Sequence, residues 1–412
     1  MREVLFIAYF YPPLGSVGSV RPLQFSKYLP EYGWRSSVLS VKNDGHYPND
    51  LSMLASIPRG QKIARSYRLP IFSTLGRIAK GPLRRQSLLY SFLDAQYDWV
   101  PDAIRTGKKL IKEGNYEAII ATAPPYSALR VARALNKIYK IPIIADLRDP
   151  YTTNEFMKWP TKCHKKFYSL YERKLLASFD HLITTNESHS VDLSEKLGQS
   201  EERITMITNG YDPDDFSVEM RNPPNDRFVF GYVGSIYGKV SPRPFFESLN
   251  LALKQRPEMR ELIDVVFVGN MQPKFVKNEA RRMNVDDLIS IRGFVPHFEA
   301  LSFIHQCHVL VQFGGMVSRS FPAKIFEYAA SGHPTLSFDN PEVFGDFITR
   351  NGLGTSVNGL KPEEGATKII EFLDMFKRGE QILGPSTEDS QRFSRRILTA
   401  DLASVLKTVV DS

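Results

Sequence analysis

The chain has 412 residues, 42% of them hydrophobic and 24% charged, with a net charge of +8. That balance belongs to a folded protein of two domains of roughly 150 to 200 residues each, and no apolar run approaches the ~18 residues of a membrane helix. Two cysteines, Cys163 and Cys307, exclude a disulfide framework and point to a reducing cytosol. The positive charge suits a polyanionic partner, but no zinc-finger spacing, RNA-recognition signature or clear helix-turn-helix is present, so nucleic acid is disfavoured.

The chain opens on "VLFIAYF", read as a buried strand rather than a signal core. The loop "PPLGSVGS" follows, where Gly15 and Gly18 would let backbone amides approach a phosphate or sugar; a plain tight turn is the alternative. It is neither a Walker A loop nor G-x-G-x-x-G. A helix carrying Leu23, Phe25, Tyr28 and Leu29 ends near Gly33, and "SSVLSV" is the next strand. Residues 59–85 then interleave Arg59, Lys62, Arg65, Arg68, Arg77, Lys80, Arg84 and Arg85 with apolar residues. This pattern suits an anionic membrane surface, or else an ordinary solvated basic face. "EAIIATA", "IPIIADL", "HLITTN" and "ERITMITNG" continue the alternation of strand and helix that defines a parallel sheet covered on both faces. "ADLRDPY" places Arg148 and Asp149 at a strand end beside Asp146, as functional groups or as an internal Arg148–Asp pair.

Asn, Gly, Asp and Pro crowd residues 209–227, which read as an interdomain linker. A second alternating series follows: "FVFGYVGS", "DVVFVGN", "ISIRGF", "HVLVQF", "PTLSF" and "GTSVN", with a helical region at 361–410. After its first strand come Gly234 and Ser235 at the turn, then Lys239 and Arg243, cations that could meet an anion or simply face solvent. In "FPAKIFEYAASGHP", Pro322 is expected to open a helix and Gly332 to stop it. Lys324 in the first turn opposes the helix dipole, which a docked phosphate would explain. Glu327 lies on the same face, suited to a ribose diol or to a salt bridge with Lys324. Two decoys are set aside. In "HQCH" (His305–His308) the side chains should diverge where a helix passes into a strand, and "DPDD" (Asp212–Asp215) reads as turn chemistry.

Taken in order, "YPPLGSVGSVRP", "YLPEYGW", "ATAPPYS", "IADLRDPY", "ITNGYDPDDF", "GYVGSIYG", "FVGN", "IRGFVPH" and "FPAKIFEYAASGHPTL" resemble glycosyltransferase family 4 over most of the chain. The resemblance implies the α/β GT-B fold: two Rossmann-like, doubly wound parallel-sheet domains facing across a cleft. Residues 1–210 would bind the acceptor, 211–385 the nucleotide sugar, and 386–412 would form a helix crossing back to the first domain. It also implies a ribose role for Glu327 and base contacts near Phe294 and Val295. Two departures stand out. Arg319 occupies the place of the family's first glutamate, which contacts the donor sugar, and Ser235 that of an arginine frequent after Gly234. Arg148 and Asp149 stand where the family often has a histidine.

The expected activity is therefore transfer of a sugar, with retention, from a UDP- or GDP-sugar to a lipid-linked glycan of cell-envelope polysaccharide synthesis. The expected location is the cytosol, peripheral on the inner face of the membrane. No metal or other cofactor is implied. Lys239, Arg243 and Lys324 would stabilise the leaving diphosphate, and Asp149 would orient the acceptor. A sugar-nucleotide epimerase of the same architecture, and a degenerate non-catalytic nucleotide-binding subunit, are the rival readings.

Overall fold

The computed structural model describes residues 1–412 apart from 44, 46, 70–93, 95, 155, 156, 158, 160, 217–222, 237–239, 314–320 and 341–343. The chain divides into two compact units, Met1–Thr208 with Arg395–Ser412, and Asn209–Ser394.

In the first unit the strands are β1 (Arg2–Ile7), β2 (Trp34–Val41), β3 (Ile63–Ser66), β4 (Tyr116–Ala123), β5 (Ile143–Leu147), β6 (His181–Thr184) and β7 (Ile204–Met206). They form one sheet in the order β3-β2-β1-β4-β5-β6-β7, with parallel pairing throughout. The two-residue period of β1 sends Leu5 and Ile7 into one core and Val4 and Phe6 into the other, which is why its sequence is a continuous apolar run. Helices α1 (Val17–Tyr28), α2 (Val100–Glu113), α3 (Ser127–Tyr139), α4 (Lys162–Leu176) and α5 (Glu187–Val191) connect the strands. The Ser16 side chain caps α1, accepting from the Gly18 amide.

The second unit holds β8 (Phe228–Val233), β9 (Ile263–Val268), β10 (Ile289–Gly293), β11 (Val309–Phe313), β12 (Thr335–Asp339) and β13 (Thr355–Asn358), in the parallel order β10-β9-β8-β11-β12-β13. Its helices are α6 (Arg243–Gln255), α7 (Pro273–Arg282), α8 (His297–Ile304), α9 (Lys324–Ala330), α10 (Asp346–Arg350), α11 (Pro362–Lys377) and α12 (Thr387–Gln391). Phe228, Phe230 and Tyr232 of β8 fill one core, and Val229 and Val233 the other.

The last helix, α13 (Arg395–Asp411), belongs to the first unit. Leu398, Leu402, Val405 and Leu406 recur at helical spacing and pack beside Val4, Phe6 and Phe25.

Three expectations shift. The segment from 209 is no free linker at its start, because Tyr211 and Phe216 bury against the second unit and Tyr211 bridges to Ser394. Helix α9 begins at Lys324, not Pro322, and Gly332 follows it at a φ of 71°. The basic segment hides an edge strand, β3, where Arg65 donates to the Pro12 carbonyl and to Ser40 (3.1 Å). Lys62 meets Glu113 at 2.8 Å and Arg68 meets the buried Asp98 at 2.9 Å. Arg77, Lys80, Arg84 and Arg85 lie outside the described residues.

Candidate functional site

Open parallel sheets bind ligands outside the carboxyl ends of their strands, where the strand order reverses. In the first unit that point lies between β1 and β4, and in the second between β8 and β11.

At the first unit's edge the charges are turned inward. Arg21 of α1, almost fully buried, clamps Asp146 at the end of β5 with bonds of 2.8 to 3.1 Å. The same guanidinium donates to the carbonyls of Ile207 and Thr208, and Thr122 adds a bond to Asp146 at 2.8 Å. The alternative of an internal Arg148–Asp pair thus gives way to Arg21–Asp146, and one buried ion pair ties together α1, β4, β5 and the segment after β7.

Arg148 instead donates through its backbone amide to Ala123 and through its guanidinium to the Pro124 carbonyl. Its Nε is buried without a hydrogen-bond partner. A Cβ at Gly18 would stand 2.8 Å from Arg148 Nη1, so this glycine makes room for the arginine. Gly15 is close to the loop opposite, its amide donating to the Pro48 carbonyl at 2.8 Å. Burial pushes the Asp149 carboxyl up, against the opposing charge of Arg148. Behind Asp149, the buried Glu172 of α4 accepts from the Thr152 amide and hydroxyl and from Tyr126, which fixes the loop after β5.

The second unit's edge is open. Gly234, Gly269 and Gly293 stand at the ends of adjacent strands: the Gly234 amide donates to Val268 at 2.9 Å, and the Gly269 amide to Gly293 at 2.7 Å. Gly269 has a φ of 129°, and a Cβ there would lie 2.0 Å from the Gly234 carbonyl oxygen. Ser235 is exposed at this edge. Phe294 follows Gly293 with 81% of its surface exposed, while Val295 packs inward. A bare aromatic face at a strand end is a platform for a flat ring.

Lys324 and Glu327 meet at 2.5 Å on α9, both partly exposed. The sequence alternative of an i,i+3 salt bridge is therefore formed, and it explains a lysine in the first turn. His297, first residue of α8, joins them. Its Nε2 lies 2.9 Å from Asp215, whose bond raises the imidazole pKa against the opposing effect of burial; Glu327 raises it further and Lys324 lowers it. Asp215 thus does more than shape a turn, and "GFVPH" carried a histidine whose role the sequence did not reveal. Tyr328, also missed, is buried beneath. Its hydroxyl accepts from the Val233 amide at 2.7 Å and pins α9 to the end of β8.

Arg243 opens α6 and pairs with Glu247 at 2.8 Å, exposed to solvent. Lys239 and Arg319 lie outside the described residues. In "HQCH" the groups point to different neighbours: His305 faces the His333 ring, Cys307 donates to the Phe303 carbonyl, and His308 accepts from the Val229 amide.

These two parallel-sheet units, with an open glycine-lined edge on the second, are of the class that binds nucleotides at strand ends. Residues 20–215 match the family model Glycosyltransferase Family 4, and residues 215–382 match Glycosyl transferases group 1. The chain belongs to glycosyltransferase family 4. The D-inositol 3-phosphate glycosyltransferase of Thermobispora bispora is 22% identical over 250 residues, covering 57% of each protein, so the match spans little over half of that relative. Sucrose-phosphate synthase from Thermosynechococcus elongatus shares the fold at a TM-score of 0.67 and 14% identity, over 100% of both chains. Anabaena HepE, solved with UDP and glucose, shares it at 0.66 and 16% identity, over 99% of this chain and 100% of its own.

Proposed function

We propose that the protein transfers a sugar, with retention, from a UDP- or GDP-sugar to a lipid-linked glycan acceptor in cell-envelope polysaccharide synthesis. The reading rests on one arrangement above all: on the second unit, the Lys324–Glu327 pair lies beside His297, and the exposed Phe294 ring follows β10 at the carboxyl ends of the same sheet. Phe294 offers its face to the base and the Val295 backbone reads the base edge. Glu327 accepts from the ribose hydroxyls. Lys324, with Arg243 and Lys239, neutralises the departing diphosphate, and the glycines at 234 and 269 let the backbone come close to it. Arg319 contacts the donor sugar.

On the first unit, Asp149 orients the acceptor hydroxyl and Arg148 holds its loop. Burial leaves Asp149 a better proton acceptor than an ordinary aspartate. The departing phosphate takes the acceptor proton on the same face, so no protein nucleophile is required. The reaction runs without a metal. That the UDP complex of HepE has this fold supports a nucleotide-diphosphate donor.

The test is a thermal-shift panel of UDP, GDP, ADP and CDP with their sugars, on wild type and Glu327→Ala. A ligand at 100 times its dissociation constant should stabilise the fold by about 2.7 kcal/mol. One base class raising the melting temperature of wild type alone is the expected outcome. No shift with any nucleotide would overturn the donor-site assignment. Nucleotide binding without turnover would favour the non-catalytic subunit, and release of free sugar or nucleotide from donor alone the epimerase.

A further inference from the structure

The first unit carries a second feature that glycosyl transfer does not use. Helix α4 buries Tyr168, Glu172, Leu175 and Leu176 against the sheet. Its opposite face is exposed and is not the polar surface such a helix normally presents. Phe167 is 52% exposed and Leu170 50%. With Cys163 and Lys174, which are also exposed, they follow the spacing i, i+4, i+7, i+11, one continuous stripe. Lys162, Lys166 and Arg173 flank the stripe, all exposed. The helix has a single acid, Glu172, and that is turned inward to hold the loop after β5. The outward face is thus cationic and apolar together, with no carboxylate of its own.

From this we infer that α4 is the membrane-contacting face of the protein, and that its partner is the headgroup layer of an anionic bilayer. Lysines and arginines around an apolar stripe bind such a surface in two ways: the cations meet lipid phosphates, and the Phe and Leu side chains enter the acyl boundary. A nucleic acid would satisfy the cations but give Leu170 nothing to bury against. The cations of the earlier basic segment fit less well. Among its described residues Arg59 is exposed, but Lys62, Arg65 and Arg68 are engaged with Glu113, backbone carbonyls and Asp98. The inference deepens the proposal of a lipid-linked acceptor and rests on that reading for its purpose, since α4 follows the loop that carries Asp149.

The test needs no nucleotide, so its failure and that of the donor site are separable. The intact protein is labelled with an environment-sensitive maleimide at Cys163, which is exposed, whereas Cys307 is buried. It is mixed with vesicles of phosphatidylcholine alone or with about a third phosphatidylglycerol. Expected are sedimentation with the anionic vesicles only and a blue shift of the probe. Lys166→Glu/Lys174→Glu should weaken binding by about tenfold or more. Phe167→Ser/Leu170→Ser should abolish the part that survives high salt, with melting temperatures unchanged in both variants. The inference falls if the anionic vesicles are ignored, if the probe does not shift, or if both variants bind like wild type. It falls equally if an oligonucleotide displaces the vesicles and the Phe167/Leu170 variant binds that oligonucleotide as wild type does, which would make α4 a nucleic-acid surface.

Discussion

The two units use the same sheet architecture and treat its carboxyl edge in opposite ways. In the first, the charged groups of the edge are consumed by the protein: Arg21 clamps Asp146, Arg148 fills the space Gly18 leaves, and Glu172 braces the loop behind Asp149. In the second, the edge is stripped of side chains by glycine and then furnished with a bare ring, an ion pair and a histidine. One edge is built as a rigid frame around a carboxylate. The other leaves backbone bare at the strand ends, as the proposed nucleotide site requires. A sequence motif at a strand end therefore does not announce which use it serves.

The largest effect in this contrast should come from the frame. Arg21→Ala leaves Asp146 charged and buried without its partner, which should cost about 3–5 kcal/mol in urea unfolding. Arg21→Met with Asp146→Leu should recover much of that loss, because the desolvation of both charges is then avoided. If Arg21→Ala cost no more than a surface substitution, the frame reading would fail. On the open edge, Gly269→Ala drives a Cβ to within 2.0 Å of the Gly234 carbonyl and demands a φ that L residues avoid. It should destabilise the second unit by about 1–3 kcal/mol and displace Gly234. Loss of any nucleotide-induced rise in melting temperature would accompany it.

Most of the strands of both units could be read from sequence because a doubly covered strand must be apolar along its whole length. "VLFIAYF" and "FVFGYVGS" left little choice. Strand β3 escaped because an edge strand needs no such run: its "IARS" lay among cations that suggested a surface. At the candidate site, Lys324 and Glu327 stood out by position in the first turn of a helix, and Phe294 came only from the family resemblance. Arg21 did not, since nothing local distinguishes a buried arginine from an exposed one, and its partner is 125 residues away. Tyr328 and the His297–Asp215 contact escaped for the same reason: 95 and 82 residues separate the partners.

A smaller effect concerns pH. His189, buried near the frame after β6, has no hydrogen-bond partner for either ring nitrogen, and burial lowers its pKa to about 4, with Asp192 opposing. The sign follows from linkage. Below the ordinary histidine value of 6.5 the unfolded chain takes up a proton that the folded one refuses. Stability is thus full above pH 6.5 and falls as pH drops towards 4. His189→Leu should remove about 2–3 kcal/mol of that decline, read as the wild-type-minus-variant difference in urea midpoints across the interval. Equal slopes would show that His189 titrates normally in the fold.

The smallest effects on stability should fall where the effects on binding are greatest, and that inversion separates the open edge from the frame most sharply. Phe294→Ala removes a ring that buries little, so the melting temperature should hold, while the affinity for a nucleotide should drop by the ~1–3 kcal/mol of a stacked base. Lys324→Ala and Glu327→Ala each break a partly exposed i,i+3 pair, which should change stability by about 1 kcal/mol. In binding the two should differ. Glu327→Ala should lose discrimination between ribose and deoxyribose nucleotides, because the carboxylate is the group proposed to accept from the diol. Lys324→Ala should instead lose the preference for diphosphate over nucleoside, because in the proposed site its point charge serves the phosphates. If both substitutions reduced nucleoside and diphosphate binding in the same proportion, the pair would be acting only as a brace for α9, and the second edge would be a frame like the first.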